Sequence, residues 1–470
     1  LNQVQKVGFV AGPLAFATVL MLDLGHSPQA TRTLAVAAWM LLWWITEARE
    51  VYLTALLPMV LFPGLGILSA EKTFAPYGSP IVFLFLGGFF LALAMEQHRL
   101  HERLAFGLLR LTGRGLHGIL FGFLLATAMV AMWISNTATA VMMLPIASSV
   151  QQLVAQQAPP AVHRRFGLLL MLCIAYGANI GGTMTLVGTP PNLVFAGYWQ
   201  RTFGEEFGFG RWLAIGLPFG LVMLVATFFL LVGLVHRLPG GRVAGLEELC
   251  AARWRALGPM SPGERRVLAV FALTVLGWTF GPQANEWLGA KVFDNTTVAM
   301  AGGLLCFLVP VSFRRGEFLL AWQHTQRLPW GILLLFGGGL AMAAALESCG
   351  LVDRIGEFVV ARCTDSPWLL AAALTTVSLF ATEVMSNVAL VTVLVPVVLA
   401  IARQTGVDAT FLAIPVTLAA SCAFMMPIST PPNAVVYGSG LVSMGQMLRA
   451  GIWINLLAIV VILLVAQPLC

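Results

Sequence analysis

The sequence predicts an all-α integral membrane protein of about eleven transmembrane helices plus two re-entrant hairpins, arranged as two inverted five-span repeats. Three observations carry this. The 470 residues are 59% hydrophobic and only 10% charged, against about 25% charged in a soluble chain. Apolar stretches of spanning length recur from one end to the other, which excludes a soluble domain with a single anchor. The third observation is that the two halves repeat each other.

Spans fall near residues 7–24, 33–49, 52–68, 79–96, 166–200, 211–237, 266–282, 293–311, 329–347, 409–445 and 450–468. The apolar blocks 116–156 and 367–403 are each about twice one span and carry a polar break at mid-length. Each reads as a hairpin that enters and leaves on one side, with two full spans as the alternative. Residues 1–32 then hold an N-terminal span and loop. The first repeat is 33–237, with hairpin 116–156 and broken helix 166–200. A cytoplasmic linker covers 238–265, and the second repeat is 266–470, with hairpin 367–403 and broken helix 409–445.

Basic residues orient the spans, because short cytoplasmic segments collect Lys and Arg. Residues 97–115 hold Arg99, Arg103, Arg110 and Arg114 against Glu102; 157–165 holds Arg164 and Arg165; 238–265 holds more Arg than Glu. These lie inside, while 201–211 and 350–366 are charge-balanced and lie outside. The expectation is a multi-pass protein of the plasma or inner membrane with its N-terminus cytoplasmic and its C-terminus outside. The net charge of +6 is explained by this topology without nucleic acid. Lys6 leads directly into an apolar run, no cleavable signal is expected, and the start at Leu1 reads as trimmed. The seven cysteines show no C-x-x-C and read as small buried hydrophobes.

The repeat is exact in spacing. Gly87-Gly88 to Glu96 matches Gly338-Gly339 to Glu347, Ser135-Asn136 matches Ser386-Asn387, and Pro145 matches Pro396, all 251 residues apart. Thr189-Pro190-Pro191-Asn192 returns as Thr430-Pro431-Pro432-Asn433, 241 residues apart. Five spans per copy is an odd number, so the copies are inverted. Inverted repeats with helices broken at mid-membrane are the mark of secondary transporters.

Two motifs carry chemistry. Ser135-Asn136-Thr137 sits in a block without Asp, Glu, Lys or Arg from Gly115 to His163. Polar groups at such depth need partners from protein, water or a ligand. Helix–helix glue would explain one such knot, but its copy at Ser386-Asn387-Val388 favours a binding site. In Thr-Pro-Pro-Asn, Thr is a good N-cap and Pro suits the first helical turn, so Thr189, Pro190, Thr430 and Pro431 start new half-helices inside the membrane. Their free N–H groups suit an anion, and the carbonyl ends of the preceding half-helices suit Na⁺.

Segments 166–200 and 409–448 hold no charged residue and 366–402 holds only Glu383. An anion here lacks a local cationic side chain, so coupling to Na⁺ is expected. Glu383 reads either as a proton carrier or cation ligand, or as a carboxylate that bonds backbone at the hairpin mouth; Met132 at the matching position favours the second. Glu47, Arg49 and Glu50 read as a membrane boundary, His98 and His101 as an interfacial amphipathic helix, and Gly337-Gly338-Gly339 as close helix packing. No ATP-binding element is legible, so an ion or substrate gradient is the expected energy source, without an ATPase subunit or organic cofactor.

With Trp44-Ile45-Thr46-Glu47-Ala48, Thr54-Ala55-Leu56-Leu57-Pro58, the two Ser-Asn motifs, and Ala423-Phe424-Met425-Met426-Pro427 leading into the second Thr-Pro-Pro-Asn, the chain resembles the divalent anion/sodium symporter family. The resemblance implies a homodimer in which a transport domain moves past a fixed scaffold in elevator fashion. It implies that Ser135, Asn136, Thr137, Ser386 and Asn387 hold the substrate carboxylates. It places one Na⁺ at Ser135, Asn136 and Gly188, and another at Thr382, Asn387 and Ser429. Two positions depart from the family: Val388 replaces a usual hydroxyl, and Ala131 stands where relatives can offer one to Na⁺. The resulting expectation is Na⁺-coupled import of a C4-dicarboxylate such as succinate, malate or fumarate. A Na⁺-independent dicarboxylate exchanger, or citrate or sulfate as substrate, is the alternative. An enzyme would want a His, Asp pair or metal cluster at depth.

Overall fold

The computed structural model describes residues 3–22, 27–112, 115–235, 238, 246–290, 292–351, 354, 357 and 366–469. Nearly all of these are helical. In chain order the helices are α1 (Gln3–Met21), α2 (Pro28–Thr46), α3 (Val51–Thr54), α4 (Leu57–Gly64), α5 (Ala70–Phe74), α6 (Pro80–Gln97) and α7 (Leu100–Leu109). The next set is α8 (Leu116–Ala131), α9 (Asn136–Gln157), α10 (Pro160–Met184), α11 (Pro190–Phe203), α12 (Phe209–Phe229) and α13 (Leu246–Leu257). The second half holds α14 (Pro262–Leu288), α15 (Asn295–Leu308), α16 (Trp330–Ser348), α17 (Pro367–Ala381), α18 (Asn387–Thr405), α19 (Ala409–Ala420), α20 (Pro431–Gly438) and α21 (Met444–Val461). A two-stranded antiparallel ribbon, β1 (Pro310–Ser312) with β2 (Glu317–Phe318), follows α15.

Local chemistry sets these boundaries. Ser261 and Glu264 form a reciprocal capping box at the start of α14, and Ser443 with Gln446 does the same at α21. Each satisfies two of the N–H groups that a helix start leaves unpaired. Among the described residues nine helices are long and apolar enough to cross a membrane, and the chain is a multi-pass membrane protein. The stretch expected as one span at 52–68 is instead divided between α3 and α4. Pro58 lies in the first turn of α4, where a missing N–H is harmless, whereas inside a continuous helix it would remove a bond and clash with the turn before. Residues 352–353, 355–356 and 358–365 of the expected outer segment 350–366, and 239–245 of the linker, lie outside the described residues.

The core is organised around two helices. Every residue of α10 from Phe166 to Met184 is buried, as are Thr410 and Leu412–Ala420 of α19. Helix α10 is flanked by α8 and α9, which join through a turn at residues 132–135, and α19 is flanked by α17 and α18. The halves then cross: α20 packs on α9 and α10, while α11 packs on α18 and α19. Gly177 and Gly181 let α10 approach the backbone of α8 so closely that a Cβ at either would strike the carbonyl of Leu124 or Ala128.

The glycines of α16 serve the same purpose. A Cβ at Gly337, Gly338 or Gly339 would strike Tyr77, Ala55 or Thr392. His98 and His101 each bond a backbone carbonyl, of Leu319 and Met95. Arg103 forms a mostly buried ion pair with Glu264 at 2.8 Å and donates to the carbonyls of Leu257 and Gly258, which fastens α7 to the start of α14. Arg201 on α11 meets Glu347 on α16 at 3.1 Å. Cys173, Cys306 and Cys422 are buried and Cys349 partly so, all as free thiols.

Candidate functional site

Both broken helices resume at the Thr-Pro-Pro-Asn motifs after a non-helical break: α10 ends at Met184 and α11 starts at Pro190, α19 ends at Ala420 and α20 starts at Pro431. Thr189 and Thr430 are buried at the two N-cap positions. Thr430 Oγ1 accepts from Asn433 N at 3.4 Å, while Thr189 makes no such side-chain bond. Pro190 is half-buried and Pro431 exposed.

The asparagine that closes each motif staples its break. Asn192 Nδ2 donates to the carbonyls of Gly182 at 3.1 Å and Thr185 at 2.8 Å. Asn433 Nδ2 donates to Ala423 at 3.1 Å and Met426 at 3.0 Å. Carbonyls 182 and 423, and 185 and 426, are related by the same 241-residue spacing as the motifs. A carbonyl oxygen has two lone pairs; in the second break both are taken, Ala423 O accepting also from Asn179 Nδ2 and Met426 O also from Ser429 Oγ.

In the first repeat, Ser135 is exposed and caps α9, its Oγ accepting from Ala138 N at 3.3 Å; Thr137 is exposed beside it. Asn136 Oδ1 is buried without a hydrogen-bond partner among the described residues. It lies against Gly182, where an added Cβ would come within 2.6 Å of it. Gly188 faces the same place: a Cβ there would sit 2.6 Å from Gly182 O and 3.1 Å from Met132 O. A partnerless amide oxygen and two carbonyls around a cradle kept open by glycine are the hard oxygen donors that Na⁺ takes. Thr185 Oγ1 donates to Met132 O at 2.6 Å and fixes the cradle's wall.

In the second repeat, Thr382 Oγ1 lies 2.7 Å from Asn387 Oδ1 and 2.6 Å from Ala420 O. Ser429 Oγ donates to Met426 O at 2.6 Å and accepts from Asn433 Nδ2 at 3.2 Å. Ser386 occupies the N-cap of α18 without a side-chain bond, and Val388 is half-buried with its carbonyl taken by Thr392. Thr382 and Asn387 are thus brought together, whereas Ser429 bonds Asn433 directly and, among the described residues, no hydrogen bond joins it to Thr382 or Asn387. Among the described residues no hydrogen bond joins the Ser135 turn to the Ser386 turn.

Glu383 is buried and receives four donors: Phe424 N at 2.7 Å, Met425 N at 3.0 Å and Asn455 Nδ2 at 2.8 Å on Oε1, and Met426 N at 3.1 Å on Oε2. It holds the non-helical stretch after α19 and ties it to α21. Of its two sequence readings, bonding to backbone describes its contacts. Sequence reasoning passed over Asn179, the one amide inside the buried run of α10, although an Asn at that depth in a charge-free helix was a usable signal.

The sequence and the fold have counterparts among known proteins. Residues 9–469 match the family described as the sodium:sulfate symporter transmembrane region. The sodium-dependent dicarboxylate transporter SdcS of Staphylococcus saprophyticus is 37% identical over 472 residues, covering 99% of this chain and 91% of that protein. SdcS of Staphylococcus aureus is 36% identical, covering 98% and 90%. Among solved structures, MtrF of Neisseria gonorrhoeae superposes with a TM-score of 0.60 over 96% of this chain and 97% of that one, at 13% identity. The YdaH transporter of Alcanivorax borkumensis gives 0.56 over 86% and 88%, at 12% identity. These two likenesses concern the fold alone. With its family match running nearly end to end and two stapled helix breaks at its centre, the chain belongs to the sodium:sulfate symporter family.

Proposed function

We propose that this protein is a secondary transporter that imports C4-dicarboxylates such as succinate, malate or fumarate together with Na⁺. The observation that carries the reading is the cradle at Asn136, Gly182 and Gly188, with its partnerless buried oxygen. One Na⁺ would be held by Ser135, Asn136 and Gly188, a second by Thr382, Asn387 and Ser429. The substrate carboxylates would meet Ser135, Asn136, Thr137, Ser386, Asn387 and the backbone at Val388, with the half-helix starts at Thr189, Pro190, Thr430 and Pro431 supplying partial positive charge. The SdcS relatives are named as sodium-dependent dicarboxylate transporters, which supports this choice over citrate or sulfate.

The two hairpins and broken helices would form a transport domain that slides past a scaffold, within a homodimer, in the plasma or inner membrane with the N-terminus inside. The domain boundaries would be 33–237 and 266–470 for the two repeats, with 238–265 as the linker between them. Uptake of radiolabelled succinate into proteoliposomes tests the reading, with and without an inward Na⁺ gradient and with and without internal dicarboxylate. Uptake that needs Na⁺ and no internal substrate is expected. Uptake that needs internal dicarboxylate and ignores Na⁺ would make the protein an exchanger of the same fold.

A further inference from the structure

Two side chains of α10 cross from the first repeat into the second repeat's helix break: Tyr176 Oη donates to Phe424 O at 3.0 Å, and Asn179 reaches the motif itself. Asn179 lies on α10, one turn before Gly182, and is 1% exposed. Its Nδ2 lies 3.0 Å from Ala423 O, 3.1 Å from Thr430 Oγ1 and 3.3 Å from Asn433 Oδ1. All three acceptors belong to the other repeat.

The 241-residue spacing maps Asn179 onto Ala420, and its three acceptors onto Gly182, Thr189 and Asn192. A symmetric molecule would have a second amide at 420 reaching back. Ala420 has none, and the result is visible at the far end: Asn433 Oδ1 is held, whereas Asn192 Oδ1 is buried without a partner among the described residues. The amide clasp exists once and in one direction, with Tyr176 beside it bonding Phe424 O from the same helix.

One end lies beside the first candidate cation site, and the other reaches Ser429 of the second. On α10, one helical turn separates Asn179 from Gly182, the residue against Asn136 Oδ1. On the other side, Asn433 passes the contact to Ser429 Oγ at 3.2 Å. We infer that Asn179 is a positioning residue that couples the two Na⁺ sites, so that filling one favours filling the other. The inference rests on the Na⁺-coupled reading above. Two sites linked through one turn of α10 and a buried hydrogen-bond chain to Ser429 can share one conformational change, and coupling between sites is commonly worth about 5-fold to 150-fold in affinity.

The test is initial succinate uptake into proteoliposomes as a function of Na⁺ concentration, for the parent, Asn179→Ala and Asn179→Ser, with folding checked by gel filtration. The parent is expected to show a sigmoidal Na⁺ dependence. Both variants should lose it, with a Hill coefficient falling toward one and half-activating Na⁺ rising about 5-fold or more. The succinate KM at saturating Na⁺ should stay within about twofold, a split that general loosening would not produce. Folded variants with the parental Na⁺ curve would overturn the inference and leave the transport reading standing. A parent indifferent to Na⁺ would defeat the transport reading itself. A measurement that needs no change at Asn179 uses hydrogen exchange: Na⁺ should protect amides 423–433 in the parent and fail to do so in Asn136→Ala. Protection that survives Asn136→Ala would mean the sites fill independently.

Discussion

In the first helix break Asn192 bonds the carbonyls of Gly182 and Thr185; in the second, Asn433 bonds those of Ala423 and Met426. From there the two diverge. The second break is gripped at three successive N–H groups by Glu383, which is also bonded by Asn455, and receives Asn179 from the other half. The first break has Met132 where the second has Glu383, and Ala420 where a returning amide would stand. Asn136 Oδ1 and Asn192 Oδ1 are left buried and unbonded among the described residues. The second break is therefore gripped by more donors, although Ser421 Oγ, Asn455 Oδ1 and Asn179 Oδ1 around it are also buried and unbonded among the described residues; what sets the first break apart is that its own motif amides, Asn136 and Asn192, carry the open oxygens, which a bare cation can use.

The largest effect should come from removing what the two sides share. Asn136→Ala or Asn387→Ala should each lower succinate uptake more than about 100-fold with membrane expression intact, since each takes away an amide assigned to both substrate and cation. Parental uptake in both variants would break the assignment. Copying the first break into the second by Glu383→Met comes next. It strands three backbone N–H groups and the Asn455 amide, at about 1–3 kcal/mol for each group left unsatisfied. A sharp fall in melting temperature in detergent is expected, and an unchanged melting curve would mean that water replaces the carboxylate.

The staples themselves should rank in the same order. Asn433 engages three acceptors and one donor, Asn192 two acceptors. An amide NH2 has only two N–H groups to share among its acceptors, so at about 1 kcal/mol per net bond Asn433→Ala should destabilise the protein by about 1 kcal/mol more than Asn192→Ala in unfolding titrations. Equal losses would remove the asymmetry. The smallest changes restore hydroxyls where the family has them. Val388→Thr should tighten the succinate KM, and Ala131→Ser the Na⁺ requirement, each by about 2-fold to 10-fold, the worth of one net hydrogen bond.

Features written in local chemistry were legible in the sequence. Thr189-Pro190 and Thr430-Pro431 announce helix starts because a cap and a first-turn proline act within four residues, and both breaks fall there. What depends on distant neighbours was not legible. Glu383 could be placed at membrane depth, but the groups it bonds lie 41 to 72 residues away, and nothing near it in the chain names them. Asn179 was invisible as a clasp for the same reason, its partners being 244 to 254 residues downstream. The division of 52–68 into α3 and α4 turned on Pro58, a signal overshadowed by the apolar run around it.

The scarcity of fixed charge in the central segments has an electrical consequence. From Gly115 to His163, 166 to 200, 366 to 402 and 409 to 448, the only formally charged residue is Glu383. Whatever displacement carries the site across the bilayer, voltage acts almost wholly on the cargo, at about 2.3 kcal/mol per elementary charge per 100 mV. A dianion travelling with two Na⁺ adds nothing to the charge of the empty carrier, and one travelling with three adds a single positive charge. Uptake at a series of clamped membrane potentials would therefore count the ions: a flat response means two, a rise with inside-negative potential means three.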